Sequence, residues 1–227
     1  MHEIIAWVTD PSNAQMLLDG ALDTLQMTLL ATFFGYVIGL PLGIILTATG
    51  KEGIRPNAGV YKVLDAIINI MRSVPFLILL ILVIPLTKLI VGRSTGTTAT
   101  IVPLTISAAP FIARVVESSL NEVDKGVVEA AQSMGASFLE IIMKVMIPEA
   151  RTSLIVNATI VIGTVLGYSA MAGTVGGGGL GDIAIRYGYY RYETGAMIVT
   201  IIILVALVQI LQAFGMWISR KLDHRKA

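Results

Sequence analysis

The sequence predicts an all-α integral membrane protein: one transmembrane domain, 1–227, of about five helices, with the N-terminus outside and the C-terminus cytoplasmic. Three observations carry this. The 227 residues are 55% hydrophobic and 14% charged, with a mean hydropathy of +0.81, whereas soluble domains carry about 25% charged residues. Five apolar stretches, at approximately 25–49, 65–90, 99–116, 152–172 and 195–218, are long enough to cross a hydrocarbon core. Basic residues also collect in alternate connections. Lys51, Arg55 and Lys62, then Arg114, Lys125, Lys144 and Arg151, then Arg220, Lys221, Arg225 and Lys226 share one side; the other holds Lys88, Arg93, Arg186 and Arg191. The positive-inside rule makes the richer side cytoplasmic.

Taken in order, Met1 to Gly20 is short and mixed, with Trp7 placed as an interfacial aromatic. Asp23 or Thr24 opens the first span, Leu25 to Thr49. Along it Gly35, Gly39 and Gly43 recur every four residues, so one face is nearly bare backbone, suited to close helix packing within the chain or between copies. Gly50 to Asn57 is a polar turn. From Ala58 to Arg72 the pattern is amphipathic, with Val60, Val63, Leu64, Ile67, Ile68 and Met71 apolar and Lys62, Asp65, Asn69 and Arg72 between them. Pro75 predicts a bend, and Phe76 to about Ile90 completes the second span. Asp65 and Arg72, two turns apart, are placed so that they could face each other; without that pairing Arg72 must snorkel to the interface.

Lys88 to Thr98 is the next hydrophilic turn. The third span, Ala99 to about Val116, contains Pro103 and Pro110 and ends with Arg114 and Glu117 at i, i+3. A proline in a membrane helix frees a carbonyl that must be satisfied in the bundle or by cavity water. This helix, with Pro110, is therefore expected to wall a pathway. The fourth span, Thr152 to Met171, holds no charge, and its Asn157, Thr159, Thr164, Tyr168 and Ser169 are expected to face protein or a wet cavity. Gly163 and Gly167 permit close approach. Gly173 to Gly181 lacks the lysine of a phosphate-cradling loop and reads as a compact turn. Tyr187, Tyr189, Tyr190 and Tyr192 with Arg186 and Arg191 suggest an interfacial belt. The fifth span runs from about Gly195 to Ile218, and the basic tail stops it.

Between the third and fourth spans lies a polar-containing interval, 124–148, that reads as a helical hairpin. Asp124 is an N-cap, and Val127, Val128, Ala131 and Met134 fall on one face. Gly135 suits a left-handed C′ position. Ser137 and Glu140 make a capping box, and Phe138, Ile141, Ile142, Val145 and Met146 form the second apolar stripe. Pro148 is expected to bend or stop that helix, because its ring clashes with the carbonyl of Lys144.

Composition also excludes chemistries. There is no cysteine, so no disulfide, thiolate nucleophile or cysteine metal site, and the two histidines, His2 and His224, lie outside every apolar stretch. A net charge of +1 gives no broad basic surface for nucleic acid. The first basic residue is Lys51, so the N-terminus lacks the n-region of a cleaved signal peptide. No metal or cofactor is expected. A secondary transporter or channel needs intramembrane acids or bases, which the spans lack apart from Asp65, Arg72 and the Arg114–Glu117 pair near span ends.

Within the hairpin, the order Glu129-Ala130-Ala131, three residues, Gly135, nine residues, Val145, one residue, Ile147-Pro148 resembles the EAA loop of bacterial ABC-importer permeases, with Val145 and Ile147 where that pattern has isoleucine and leucine. Both replacements keep volume and apolarity. Over roughly Leu25 to Trp217, the segments NIMRSVPFLILL, IVPLTISAAPFIARVVE, VLGYSAMAGTVGGGGLGD and YGYYRYET resemble those of the methionine-importer permeases. The resemblance implies a type I importer fold in a bacterial inner membrane and a dimer of this chain. It also implies cytosolic ABC ATPase subunits that carry the nucleotide chemistry, and an extracytoplasmic methionine-binding protein. Permeases for another amino acid or a small peptide share the motif. The resemblance implies that Glu129, Ala130, Ala131, Gly135, Ala136 and Pro148 couple to the ATPase. It places the pathway constriction at the segment holding Tyr168, Ser169 and Met171; Pro110 and Asn157 are expected along the pathway from their residue types within the third and fourth spans.

Overall fold

The computed structural model describes Trp7 and residues 10–222, and every element is helical. His2, His224, Arg225 and Lys226 lie outside the described residues. Asp10 caps α1 (Pro11–Thr49) by accepting from the amide of Ser12 at 2.9 Å. The helix therefore begins well before the first apolar span, on the polar sequence ahead of Leu25. There Trp7 Nε1 donates to Glu193 Oε2 at 2.8 Å, fastening the start of the chain to the entry of the last helix.

α2 (Ala58–Ser73) is capped by Asn57, whose side chain accepts from the amides of Gly59 and Val60. At Val74–Pro75 the chain turns by 100° into α3 (Phe76–Leu82), followed by α4 (Ile84–Val91). The bend expected at Pro75 is present. α5 (Thr97–Asn121) carries both prolines inside it. The hairpin is α6 (Lys125–Ser133) and α7 (Phe138–Glu140). Helical backbone then continues through a π turn, Ile141–Met146, into α8 (Ile147–Ala172). Pro148 consequently does not stop the helix: it follows directly on the π turn, whose wider backbone accommodates a ring with no amide to donate. α9 (Gly179–Ile183), a second π turn and α10 (Thr194–Leu222) complete the chain. Among the described residues, four helical stretches are long and apolar enough to cross a membrane, and five if the bent pair α2–α3 counts as one span.

The core forms where α1 lies along α5. Gly39 sits so close that a Cβ there meets the carbonyl oxygen of Ala109 at 2.6 Å, and one at Gly43 meets that of Ala113 at the same distance. The glycine stripe therefore serves packing within the chain, and Ile112 and Val116 are fully buried against it. The glycine-rich connection folds back on three elements. A Cβ on Gly173 lies 2.2 Å from the backbone of Gly181, Gly96 donates to the Gly176 carbonyl at 2.8 Å, and Leu180 donates to Thr24 Oγ1 at 2.9 Å. Backbone meets backbone there, which is why glycine dominates. α10 buries little, and Ile202, Val205, Ile210, Phe214 and Trp217 stay exposed, as a lipid-facing helix requires.

Candidate functional site: the hairpin and the end of the fourth span

The hairpin is built by local chemistry. Asp124 accepts from the Gly126 amide at 2.7 Å, starting α6. Gly135 ends it with φ +78, while the amides of Met134 and Ala136 donate to the carbonyls of Ala130 and Ala131 at 3.1 Å each. That closes the helix with the six-to-one bond of a Schellman turn. Ser137 and Glu140 form both halves of the expected capping box. Beneath the turn, Ala131, Ile141, Ile142 and Met146 are buried, with Ala136 and Phe138 packed against them. Val127 and Met134 are not on the buried face: they are 43% and 81% exposed, because only the Val128 and Ala131 side of α6 meets the bundle.

Glu129 and Ala130 are exposed on α6, and Pro148 is exposed where α8 begins. Behind the hairpin opens a cavity of about 580 Å³, walled by Glu129, Gln132, Leu120, Met146, Tyr61 and Glu117. Its rim is fastened by an ion pair between Lys125 and Glu52 and by Arg55, whose guanidinium lies 5.0 Å over the Phe138 ring. Glu52 sits outside the spans, and the hydrogen bond and charge of Lys125 hold its carboxyl below the ordinary range.

The residues expected along the pathway separate into two groups. Tyr168 lies flat on Phe76 of α3, with ring centroids 4.7 Å apart and planes 4° from parallel. Ser169 is fully buried and donates to the Leu166 carbonyl at 2.7 Å. Met171, 48% exposed, points out of the protomer with Gly167 and Ile160 on the same side of α8. Asn157 belongs elsewhere. Its Nδ2 donates to Ser119 Oγ at 2.7 Å, and Ser153 donates to the same hydroxyl at 3.1 Å, tying α8 to α5. Pro110 is buried inside the bundle rather than on an open wall.

The Asp65–Arg72 pairing does not form. Asp65 instead meets Arg114 at 2.6 Å, and Arg72 lies 5.9 Å over the Phe111 ring. The i, i+3 pair is present: Arg114 also reaches Glu117 at 2.6 Å. Asp65 is drawn to α5 because Arg114 projects between the helices, a contact between distant parts of the chain.

Residues 39–224 match the family model described as binding-protein-dependent transport system inner membrane component. The chain belongs to this family. This inner membrane component is 54% identical to a probable D-methionine transport system permease protein of Vibrio cholerae, over 94% of this chain and 95% of that one. It is 51% identical to the D-methionine transport system permease protein of Escherichia coli K12, over 70% and 73% of the two chains. Its fold superposes on a solved structure of the MetNI methionine ABC transporter in inward-facing conformations with a TM-score of 0.93 at 46% identity, covering 95% of this chain and all of the other. An amino acid ABC transporter structure matches with a TM-score of 0.76 at 21% identity, a likeness of fold.

In this inner membrane component the apolar tip of the hairpin went unread in the sequence. Leu139 is 69% and Met143 60% exposed, one turn apart on the outer side of the second helix, and Met134 at the end of α6 is exposed as well. Their spacing was legible, but the buried stripe of Ile141, Ile142 and Met146 lies beside them, and hydrophobicity alone does not separate the two sides.

Proposed function

We propose that this chain is the membrane-spanning subunit of an ATP-driven importer that carries methionine into a bacterial cell. It lies in the inner membrane as one multi-pass domain and works as a pair of copies with the pathway between them. Separate cytosolic ATPase subunits energise it, and an extracytoplasmic methionine-binding protein delivers the substrate. The observation that carries the reading is 54% identity, over nearly its whole length, to a protein named as a D-methionine permease. The sequence has no phosphate-binding GxxxxGK motif, in keeping with ATP hydrolysis on another chain.

The hairpin is the coupling element. Glu129 and Ala130 present the exposed side of α6 to a groove on the ATPase, and buried Ala131 seats that helix against the bundle rather than touching the partner. Gly135 and Ala136 set the turn, Pro148 marks its exit, and exposed Met134, Leu139 and Met143 add apolar contact. The basic tail and the hairpin face the cytoplasm, and the N-terminus lies outside. Met171, about 28 Å along α8 from Thr152, reaches the outer end of the hydrocarbon core. Two copies of this unbranched apolar side chain, meeting between protomers, close the passage and move aside on opening. Tyr168 and Ser169 hold the segment from within. Pro110 and Asn157 support the pathway helices.

The test is uptake of labelled methionine into vesicles carrying this chain, its ATPase and its binding protein. Uptake that requires all three and ATP is expected. Uptake driven by an ion gradient without the ATPase, or a preference for another amino acid or a small peptide over methionine, overturns the reading.

A further inference from the structure

We propose that Arg114 is a positioning residue that locks α2 and α5 into one lever, delivering movement of the hairpin to the Phe76–Tyr168 contact beside Met171. The proposal rests on the importer reading above. Arg114 uses both ends of its guanidinium. One nitrogen donates to Glu117 Oε2 at 2.6 Å on its own helix; the other donates to Asp65 Oδ1 at 2.6 Å and Asn69 Oδ1 at 3.0 Å on α2. The Tyr61 hydroxyl closes the cluster from α2 by donating to Glu117 Oε1 at 3.2 Å. A planar fork satisfies two carboxylates on two helices together, which a point-charged ammonium does not.

Three features make this cluster a lever rather than ordinary packing. First, Ile68 is the one buried residue of α2; beyond the small apolar cluster it makes with Leu46 and Ala113, flanked by Tyr61 and Leu64, the hydrogen bonds of α2 with α5 run through the Arg114 network. Second, the cluster adjoins the hairpin: Glu117 and Tyr61 wall the cavity behind α6, and α5 ends at Asn121, three residues before the Asp124 cap. The turn that leads into α2 is bound to the hairpin as well, through Lys125–Glu52 and Arg55–Phe138. Third, the far end of α2 turns by 100° into α3, whose first residue, Phe76, lies flat on Tyr168, three positions before Met171. A displaced hairpin moves the end of α5 and the start of α2 together, and the clamp prevents them from sliding apart before the motion reaches α3. The warrant is this continuous chain of contacts, which a coupling measurement must test.

The decisive variant is Asp65→Ala with Asn69→Ala, which removes two partners on α2 and leaves Arg114 paired with Glu117, so no buried charge is stranded. Membrane insertion, assembly with the ATPase and ATP turnover are expected to stay near wild type, while methionine moved per ATP falls about threefold or more. Arg114→Lys, which reaches one helix at a time, is expected to fall between that variant and the wild type. An unchanged ratio in the double variant overturns the proposal. So does a proportional loss of uptake and hydrolysis, or a failure of both variants to assemble, either of which makes the cluster a folding element. A wild-type complex that moves no methionine refutes the importer reading itself, and the lever with it.

Discussion

Gly135 offers the sharpest test of the hairpin. Its φ is +78, and a Cβ built there has no atom within 4 Å. Substitution therefore meets no neighbour, and the whole cost is the backbone's. A left-handed conformation costs an L-residue about 1–2 kcal/mol, less for asparagine and more for a β-branched side chain. Gly135→Asn is expected to behave close to wild type, Gly135→Ala to lose part of its coupling, and Gly135→Val to lose most of it. A cost of about 1–2 kcal/mol shifts the closed turn by roughly five- to thirtyfold relative to opened ones. The buried side chains beneath it, Ile141, Ile142 and Met146, are untouched, so insertion and total helix content should hold. The assay is ATPase occupancy by co-purification and methionine uptake per ATP in vesicles, across the four residues at this position. Normal occupancy and uptake in Gly135→Val would refute the requirement for a left-handed turn, and a series ordered by side-chain size rather than by left-handed preference would refute the reasoning behind it.

Gly39→Ala and Gly43→Ala each force α1 from α5, since the new Cβ atoms sit 2.6 Å from carbonyl oxygens and 2.7 Å from the Cβ atoms of Ile112 and Val116. Each should destabilise by about 1–3 kcal/mol. The double variant should cost less than the sum, because one separation of the helices relieves both clashes; thermal unfolding of the purified protein measures this, and strict additivity contradicts it. Met171→Ala is expected to insert and bind ATPase normally but to leak small solutes through the resting dimer, read as dye efflux from vesicles; a sealed, fully active variant makes Met171 packing alone. Lys125 holds the Glu52 carboxyl below the ordinary 4.5, so the pair's contribution is complete above the ordinary carboxylate range and fades as pH falls through the lowered value. Both side chains are about two-thirds exposed, so Glu52→Gln should be nearly silent at neutral pH; an NMR titration of Glu52 at or above its ordinary value contradicts the pairing.

Much of this protein was legible because its signals are local. The Asp124 cap, the Ser137–Glu140 box, the left-handed Gly135 and the Pro75 bend each arise within a few residues, and local backbone chemistry is written in consecutive sequence. The membrane class was also fixed by sequence, since apolar length and charge distribution are one-dimensional properties. Partner choice across distance was not. Asp65 had Arg72 on its own helix and took Arg114 from another, because a charge near the bilayer boundary goes to whichever partner the packing brings close, and helix periodicity is silent about neighbouring helices. That the helix runs on through Pro148 instead of stopping was hidden for a related reason: a π turn widens the backbone just before its ring, in a segment whose Ile141, Ile142 and Met146 are buried beneath the hairpin. Pro110, expected on a pathway wall, is buried in the bundle, and Asn157 bonds across to α5; which polar position meets another helix and which faces outward depends on how α8 is rotated against α5. The hydrogen bonds among Ser119, Ser153 and Asn157 accompany that rotation, and only the folded chain brings those residues together.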